Sequence, residues 1–323
     1  MRLFHQKSHN DFVNICMVTF NRLEFTQKAI HSIVEYTRYP YVLTVIDNNS
    51  NDGTKEYLLD LKKKEIIDNL ILIEENIGVA KASNIGWLLV PEADYYMKFD
   101  NDIVIEKYNW LTNMVRVINI VKELGMIGYN FEIATYPLIQ KEGENIRVKD
   151  GTSLGGACVL IPKRTRDLLG YWSEEYGLYG EEDADYGERV NQSNLLNAYM
   201  DDEDIGIHLP AGKAALIDEV SYDAADGVEE SLHRDYRTWK DQMRRENVAN
   251  RAFLNNIWAY KMGHKSLYYY PNHAIKYVKK NFPKVPVKVP KHRILNLMAY
   301  YRRKKFNYYR RKNKRKSRKE RSQ

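Results

Sequence analysis

The sequence predicts an α/β fold, a mostly parallel central sheet flanked by helices, with a C-terminal helical basic extension. Three observations carry this. Short β-rich runs alternate with helical apolar periodicity from Val13 to Asp100, the pattern of βαβ units with right-handed crossovers. Three polar loops, Thr19–Arg22, Asp47–Thr54 and Asp100–Asp102, each follow a β-rich run, and ligands of such sheets bind at the carboxyl ends of the strands. From Lys291 to Gln323 the chain holds 15 Lys or Arg and one acid, Glu320. That tail carries +14 in a chain of net charge +7, so the preceding 290 residues sum to −7.

Each element follows in order. Val13–Phe20 is β-rich and reads as a central strand. Ala29, Ile30, Ile33 and Val34 then line one face of a helix. Val42–Ile46 is a second buried strand, ending in the dense turn signal Asp47–Thr54. Thr54 opens a helix through Tyr57, Leu58 and Leu61. Leu70–Ile73 is a third strand, and after Glu75–Gly78 a helix presents Val79, Ala82, Ile85 and Leu89. Tyr95–Phe99 leads as a buried strand into Asp100–Asp102, with Ile103–Ile105 following. Tyr108–Leu124 is helical by period, and Ile127–Val148 reads as holding strands. Thr152–Ile161 is a strand with the pair Gly155 and Gly156 near its start. A helix opens at Glu181–Asp185, Asn197–Met200 is a short strand, and His208 closes the apolar run Ile205–Leu209. Ser231–Asn247 is a further helix, with Leu232, Tyr236, Trp239 and Met243 on one face.

Phe282–Pro290 has proline at 283, 286 and 290 and cannot be helix; it reads as an extended linker. Beyond it Ile294, Leu297, Met298 and Tyr301 recur at helical spacing beside Arg302–Lys305, an amphipathic basic segment. The chain therefore divides into an α/β domain over 1–250, a helical segment and linker over 251–290, and a basic tail over 291–323. Cys16 and Cys158 both lie in apolar runs and read as core thiols, which fits a reducing compartment. The opening residues hold no apolar stretch long enough for a signal peptide, and no run approaches the roughly 20 apolar residues of a spanning helix.

The chemistry starts at Asp100 and Asp102. In an extended chain these face one side and form a hard-oxygen site for Mg²⁺ or Mn²⁺ bridging to a diphosphate. A solvated loop would also explain two such acids; the apolar strand before them and the polar loops beside them favour the site. Paired Gly155 and Gly156 admit a ligand or a second backbone, or else mark a β-bulge. Glu181, Glu182, Asp183 and Asp185 crowd a helix start, where the dipole favours negative charge. Their flanks Trp172, Tyr176, Tyr179 and Gly180 suggest a cleft in which one carboxylate serves as general base. His208 is a candidate third metal ligand, or else a structural histidine. No G-x-G-x-x-G and no G-x-x-x-x-G-K-[ST] occurs, so dinucleotide and P-loop readings lack their fingerprint.

In order and spacing, several motifs resemble family 2 glycosyltransferases of the GT-A fold over about residues 13–210. They are Thr19–Arg22, Asp47-Asn48-Asn49-Ser50-x-Asp52-Gly53-Thr54, Asn76-Ile77-Gly78 with Ala82, Asn84 and Gly86, Asp100-x-Asp102, Gly155-Gly156 and Glu182-Asp183-x-Asp185. The resemblance implies inverting, metal-assisted transfer from a nucleotide-diphosphate sugar, UDP being the default nucleotide, in cell-surface polysaccharide or glycoconjugate synthesis. It implies that Thr19, Asn21 and Asp47 hold base and ribose, with Phe20, Asn49, Lys81 and Asn101 in the same nucleotide-facing segments. Asp100 would meet ribose or metal. Asp102 and His208 would bind Mn²⁺ or Mg²⁺, with His233 an alternative ligand. Gly155, Gly156 and Trp172 would line the donor and acceptor sugars. Asp183 would be the base and Glu182 its partner toward the sugars, although Glu181 allows a slip by one. Arg244 and Arg245 would approach the diphosphate.

A sugar-phosphate nucleotidyltransferase would want a glycine-rich basic loop after the first strand, and Thr19–Leu23 has no glycine. A nucleic-acid-binding protein would use Arg310–Arg321 with Tyr300, Tyr301, Tyr308 and Tyr309. The amphipathic helix before that tail favours instead a peripheral position on an anionic membrane at its inner, cytoplasmic face, next to a saccharide or lipid-linked acceptor.

Overall fold

A computed structural model describes residues 11–131, 136–148, 154–202, 204–209 and 248–287. The first half alternates β1 (Val13–Thr19), α1 (Leu23–Tyr36), β2 (Tyr41–Asp47), α2 (Thr54–Lys63), β3 (Asn69–Leu72), α3 (Val79–Leu89) and β4 (Tyr95–Asp100). Then come β5 (Ile103–Ile105), α4 (Trp110–Ile120), β6 (Leu124–Gly128), β7 (Leu138–Lys141), β8 (Glu144–Val148) and β9 (Cys158–Pro162). They are followed by α5 (Lys163–Leu169), α6 (Glu182–Gln192), β10 (Leu196–Met200), β11 (Gly206–His208), α7 (Val248–Met262) and α8 (Asn272–Asn281).

Among the described residues one large sheet has the order β3-β2-β1-β4-β9-β6-β10-β8-β7. All its strands but β9 and β8 run the same way, so the mostly parallel sheet is borne out. The alternation stops at β4, whose other neighbour is the later, antiparallel β9. A second sheet pairs β5 with β11, with Ile103 opposite His208.

Register sets the carboxyl edge. Thr19 stands opposite Asp47 and Val18 opposite Asp100, so the first three polar loops leave the sheet side by side. Beneath them the core is apolar, with Ile15, Met17, Val45, Met97 and Phe99 all 0% exposed. A buried polar line crosses it: Asn14 Nδ2 donates to the Gly86 carbonyl (3.0 Å), Thr44 Oγ1 to Asn14 Oδ1 (2.9 Å) and Asn69 Nδ2 to Thr44 Oγ1 (3.2 Å). Gly86 seats α3 on β1: a Cβ there would lie 2.4 Å from Cys16 Sγ. Both cysteines are free and buried, and burial pushes the Cys16 thiol up to about 12.

Two boundaries differ from the periodicity. The helix expected to reach Leu124 ends at Ile120, because Lys122 and Glu123 turn out to solvent and Leu124–Gly128 becomes the fully buried strand β6. The strand expected from Thr152 begins at Cys158, and Gly155 and Gly156 lie in the loop before it. The expected helix over 231–247, His233, Arg244, Arg245 and the basic tail fall outside the described residues. No helix among the described residues is long and apolar enough to cross a membrane.

Candidate functional site

The first two loops hold each other. Thr19 Oγ1 donates to Asp47 Oδ1 (3.1 Å), and the Ser50 amide donates to Asp47 Oδ2 (3.0 Å). The Asn21 amide donates to Ser50 Oγ (2.7 Å), and Asn21 Oδ1 accepts from the Asn51 amide (2.8 Å). Asn101 Nδ2 donates to Thr26 Oγ1 (3.0 Å) and reaches the Asn21 carbonyl at 3.4 Å. Asn21, Arg22 and Asn49 have φ of 54°, 61° and 73°, left-handed backbone that asparagine accepts more readily than arginine. Asn49 Oδ1 accepts from Lys55 Nζ (2.9 Å). Thr19 and Asp47 are 0% exposed; as placed, they brace the loop rather than face an open cleft. Phe20 and Asn49 are half-buried, as is Lys81 in the first turn of α3.

The third loop departs from the expected geometry. Asn101 and Asp102 form a turn between β4 and β5, so the chain does not stay extended and its two acids take different partners. Asp100 Oδ1 meets Lys98 Nζ at 2.6 Å. Asp102 Oδ2 accepts from Arg22 Nη1 at 2.8 Å. Its Oδ1 is buried without an aligned hydrogen-bond donor among the described residues, and lies 3.4 Å from His208 Nε2. The small sheet makes this meeting: β11 pairs with β5, and the Leu209 amide donates to the Asp102 carbonyl (2.8 Å). Gly206 is what lets β11 approach, since a Cβ there would lie 2.0 Å from the Val104 carbonyl oxygen. Burial opposes charge on Asp102, but His208 and Arg22 prevail and hold its carboxyl below the usual range. Burial likewise opposes charge on His208, and Asp102 outweighs it and raises the imidazole.

A carboxylate oxygen and an imidazole nitrogen this close suit a divalent cation such as Mn²⁺ or Mg²⁺. The misaligned, buried Asp102 Oδ1 is the atom such an ion would satisfy. Among the described residues no cluster of three or more His, Cys, Asp or Glu could hold a metal, so the other positions would fall to ligand oxygens and water.

The acids of α6 divide by environment. Asp183 is half-buried; its Oδ2 accepts from the Gly156 amide (2.9 Å) and its Oδ1 from the Ala184 amide (2.7 Å). The approach is close: a Cβ at Gly156 would lie 3.0 Å from Asp183 Cβ. Glu182 is 4% exposed, and burial, then Asp183, pushes its carboxyl up to about 7. Asp185 is structural: buried, it accepts from Arg189 Nε (2.7 Å), Tyr176 OH (2.7 Å) and Tyr260 OH (2.9 Å). Glu181 stands at the N-terminal boundary of α6 with φ 68° and makes no side-chain capping bond.

Trp172, expected at the sugars, is 0% exposed. It packs on Trp87 and Tyr186, with ring centroids 5.3 and 4.7 Å away. Asn84 clasps its backbone on both sides: Oδ1 accepts from the Trp172 amide (3.0 Å) and Nδ2 donates to its carbonyl (2.9 Å). It is therefore enclosed in an aromatic core and is not free to line a sugar site. The Gly155 amide donates to Tyr199 OH (2.8 Å). Tyr179 is 54% exposed, yet burial of its hydroxyl end and the charge of Asp100 push that phenol up.

Lys98 was not anticipated. It is 3% exposed, and its Nζ donates to Asp100 and to the Gly156 carbonyl (3.0 Å). Burial works against its charge, but Asp100, Glu182 and Asp183 together raise the ammonium's pKa. The signal was in the sequence: a lysine inside an apolar strand, two residues before Asp100 and so on the same face.

Comparison with known proteins gives partial matches. Residues 14–128 match the family described as Glycosyl transferase family 2. The uncharacterized protein L137 of Acanthamoeba polyphaga mimivirus is 25% identical over 134 residues, 38% of this chain and 18% of that one. TuaG of Bacillus subtilis (strain 168), whose name places it in teichuronic acid biosynthesis, is 25% identical over 72 residues, 22% of this chain and 29% of that one. The chain thus spans less than a third of the curated relatives it matches. Among solved structures, GalNAc-T7 with UDP, GalNAc and Mn²⁺ superposes with a TM-score of 0.51 at 14% identity, over 61% of this chain and 43% of that one. That likeness is one of fold.

The raised Glu182 carboxyl has a consequence for stability. Its folded value of about 7 lies above the ordinary 4.5, so the folded state holds this proton more tightly than the unfolded one. The favourable contribution is complete below about pH 4.5 and is lost as pH rises through about 7, on the order of 3 kcal/mol. Glu182→Gln is expected to raise the melting temperature at pH 8 and leave it nearly unchanged at pH 4.5. A shift of equal size at both pH values would contradict the assignment.

Proposed function

We propose that this chain, which carries a glycosyl transferase family 2 region over residues 14–128, is an inverting glycosyltransferase. It moves a sugar from a nucleotide diphosphate, UDP first among the nucleotides, to an acceptor hydroxyl. The observation that carries this reading is the meeting of two unlike centres at one sheet edge. Asp102 Oδ1 and His208 Nε2 lie 3.4 Å apart, and Asp183 is tied through Gly156 and Lys98 to Asp100.

In this reading Asp183 takes the proton of the acceptor hydroxyl. The acceptor oxygen bonds to the anomeric carbon from the side opposite the diphosphate, the carbon–oxygen bond to phosphate breaks, and its electron pair leaves with the diphosphate. One displacement inverts the configuration, and no covalent sugar–enzyme species is needed. Asp183 suits the role better than its neighbours because it is half-buried and within an acceptor's reach, whereas Glu182 and Asp185 are 4% and 0% exposed. Each Asp183 oxygen accepts one backbone amide, which orients the carboxylate and leaves a lone pair on each free. Asp102 and His208 would hold Mn²⁺ or Mg²⁺, which when bound neutralises charge on the leaving diphosphate. Phe20, Asn49 and Lys81 supply the less buried edge of the nucleotide side.

Calorimetry with UDP, GDP and dTDP, each with Mn²⁺ and with chelator, tests the donor half. One nucleotide is expected to bind only with metal and to be lost in Asp102→Ala; metal-independent binding, or none, would overturn it. With the sugar nucleotide so selected, Asp183→Asn is expected to slow turnover roughly 10²–10⁴-fold at unchanged nucleotide affinity. Undiminished turnover would place the base elsewhere.

The charge of +14 on residues 291–323 supports a peripheral site on the inner, cytoplasmic membrane face, where saccharide or lipid-linked acceptors for polysaccharide synthesis would be met. Lys and Arg contribute about 1 kcal/mol each near an anionic surface. Removing residues 291–323 is expected to abolish sedimentation with anionic vesicles and to spare nucleotide binding. Sedimentation that persists would remove the membrane from the account.

A further inference from the structure

Arg22 stands where a cation is wanted. Its Nη1 donates to Asp102 Oδ2 at 2.8 Å, and this is the aligned side-chain hydrogen bond Asp102 receives among the described residues. The partners are unequally placed: the Arg22 side chain is 37% exposed and that of Asp102 11%. The guanidinium reaches inward from the surface, 5.9 Å from the centre of the Phe25 ring. The backbone of Arg22 is left-handed, φ 61° and ψ 52°, a conformation unfavourable for arginine. The other oxygen of the same carboxylate is the misaligned one facing His208.

We infer that Arg22 is a placeholder cation: it neutralises Asp102 while the divalent ion is absent and releases Asp102 Oδ2 when the ion binds. This rests on the metal reading of Asp102 and His208. The charges around the pair settle its direction. Asp100 is engaged by Lys98, so Asp102 is the anion left for Arg22, and an arginine stays charged at any ordinary pH. A buried carboxylate without a counter-charge is costly, which explains a resident cation. A dication at the same carboxylate repels a guanidinium a few ångströms away, which explains why both do not stay. A diphosphate brings new negative charge to the ion, and an arginine fork released at the surface suits phosphate oxygens. Arg22 thereby links cation binding to nucleotide binding: without nucleotide it competes with the ion, and with nucleotide it ceases to.

The test is Mn²⁺ binding by the full chain, read from the electron paramagnetic resonance signal of free Mn²⁺, first alone and then with saturating UDP. Arg22→Met and, as a second neutral variant, Arg22→Gln are expected to bind Mn²⁺ alone about tenfold more tightly than the parent chain. With UDP present that advantage is expected to vanish or reverse. Asp102→Ala is expected to lose binding in every background. Equal or weaker Mn²⁺ binding by both Arg22 variants, with Asp102 still required, overturns the placeholder role alone. Absence of Mn²⁺ binding by every chain, with or without UDP, overturns the metal reading and this inference with it.

Discussion

Lys98 lies two residues before Asp100 on β4, so the pleat turns both side chains to one face, and its 3% exposure leaves the ammonium little water. A buried ammonium persists only with anions and acceptors around it. Asp100 at 2.6 Å and the Gly156 carbonyl at 3.0 Å supply them directly, and Glu182 and Asp183 add their fields. The backbone of Gly156 works in both directions: its carbonyl accepts from Lys98 and its amide donates to Asp183. The carboxyl end of β4 and the acid-rich start of α6 are thereby fixed relative to each other. Glycine at 156 keeps this approach close, since a Cβ would lie 3.0 Å from Asp183 Cβ and 3.2 Å from Lys98 Nζ.

Other contacts bring distant chain to the same edge. β11 crosses to β5 and delivers His208 to Asp102, with Gly206 allowing the backbones to meet. Asn84 on α3 grips the backbone of Trp172, and a Cβ at Gly78 would lie 2.5 Å from the Gly177 carbonyl oxygen. The segment leading to α6 is thus pressed onto the start of α3. Below it the ion pair of Asp185 and Arg189, capped by Tyr176 and Tyr260, anchors α6 against α7.

Much of this was legible because the governing signals are local. Strand runs and helical periodicity marked β1 to β4 and α1 to α3, and the polar loops announced the carboxyl edge. The later sheet was not legible in the same way. β9 enters between β4 and β6 from distant sequence, and Leu124–Gly128 is too short and too apolar to be told from the end of a helix. The roles of individual acids were also hidden. Asp100 and Asp102 look equivalent in sequence, and only the turn at Asn101 sends one to Lys98 and the other to His208. Trp172 looked like a cleft aromatic because sequence does not show that Trp87 and Tyr186 enclose it. Lys98 and Arg22 were visible as residues, but their importance depends on which anions fold next to them.

The central claim is that one ammonium balances the acids on both sides of this site. The most direct test follows the Glu182 carboxyl by carbon-13 NMR titration in the parent chain and in Lys98→Met, which keeps the length of the stem and removes the charge. The account predicts a transition near pH 7 in the parent chain and a clearly higher one in Lys98→Met, since loss of a nearby positive charge makes a carboxylate harder to ionise. An unchanged transition in a folded Lys98→Met chain would mean that Lys98 does not join the two halves electrostatically, and the account would fail at its centre.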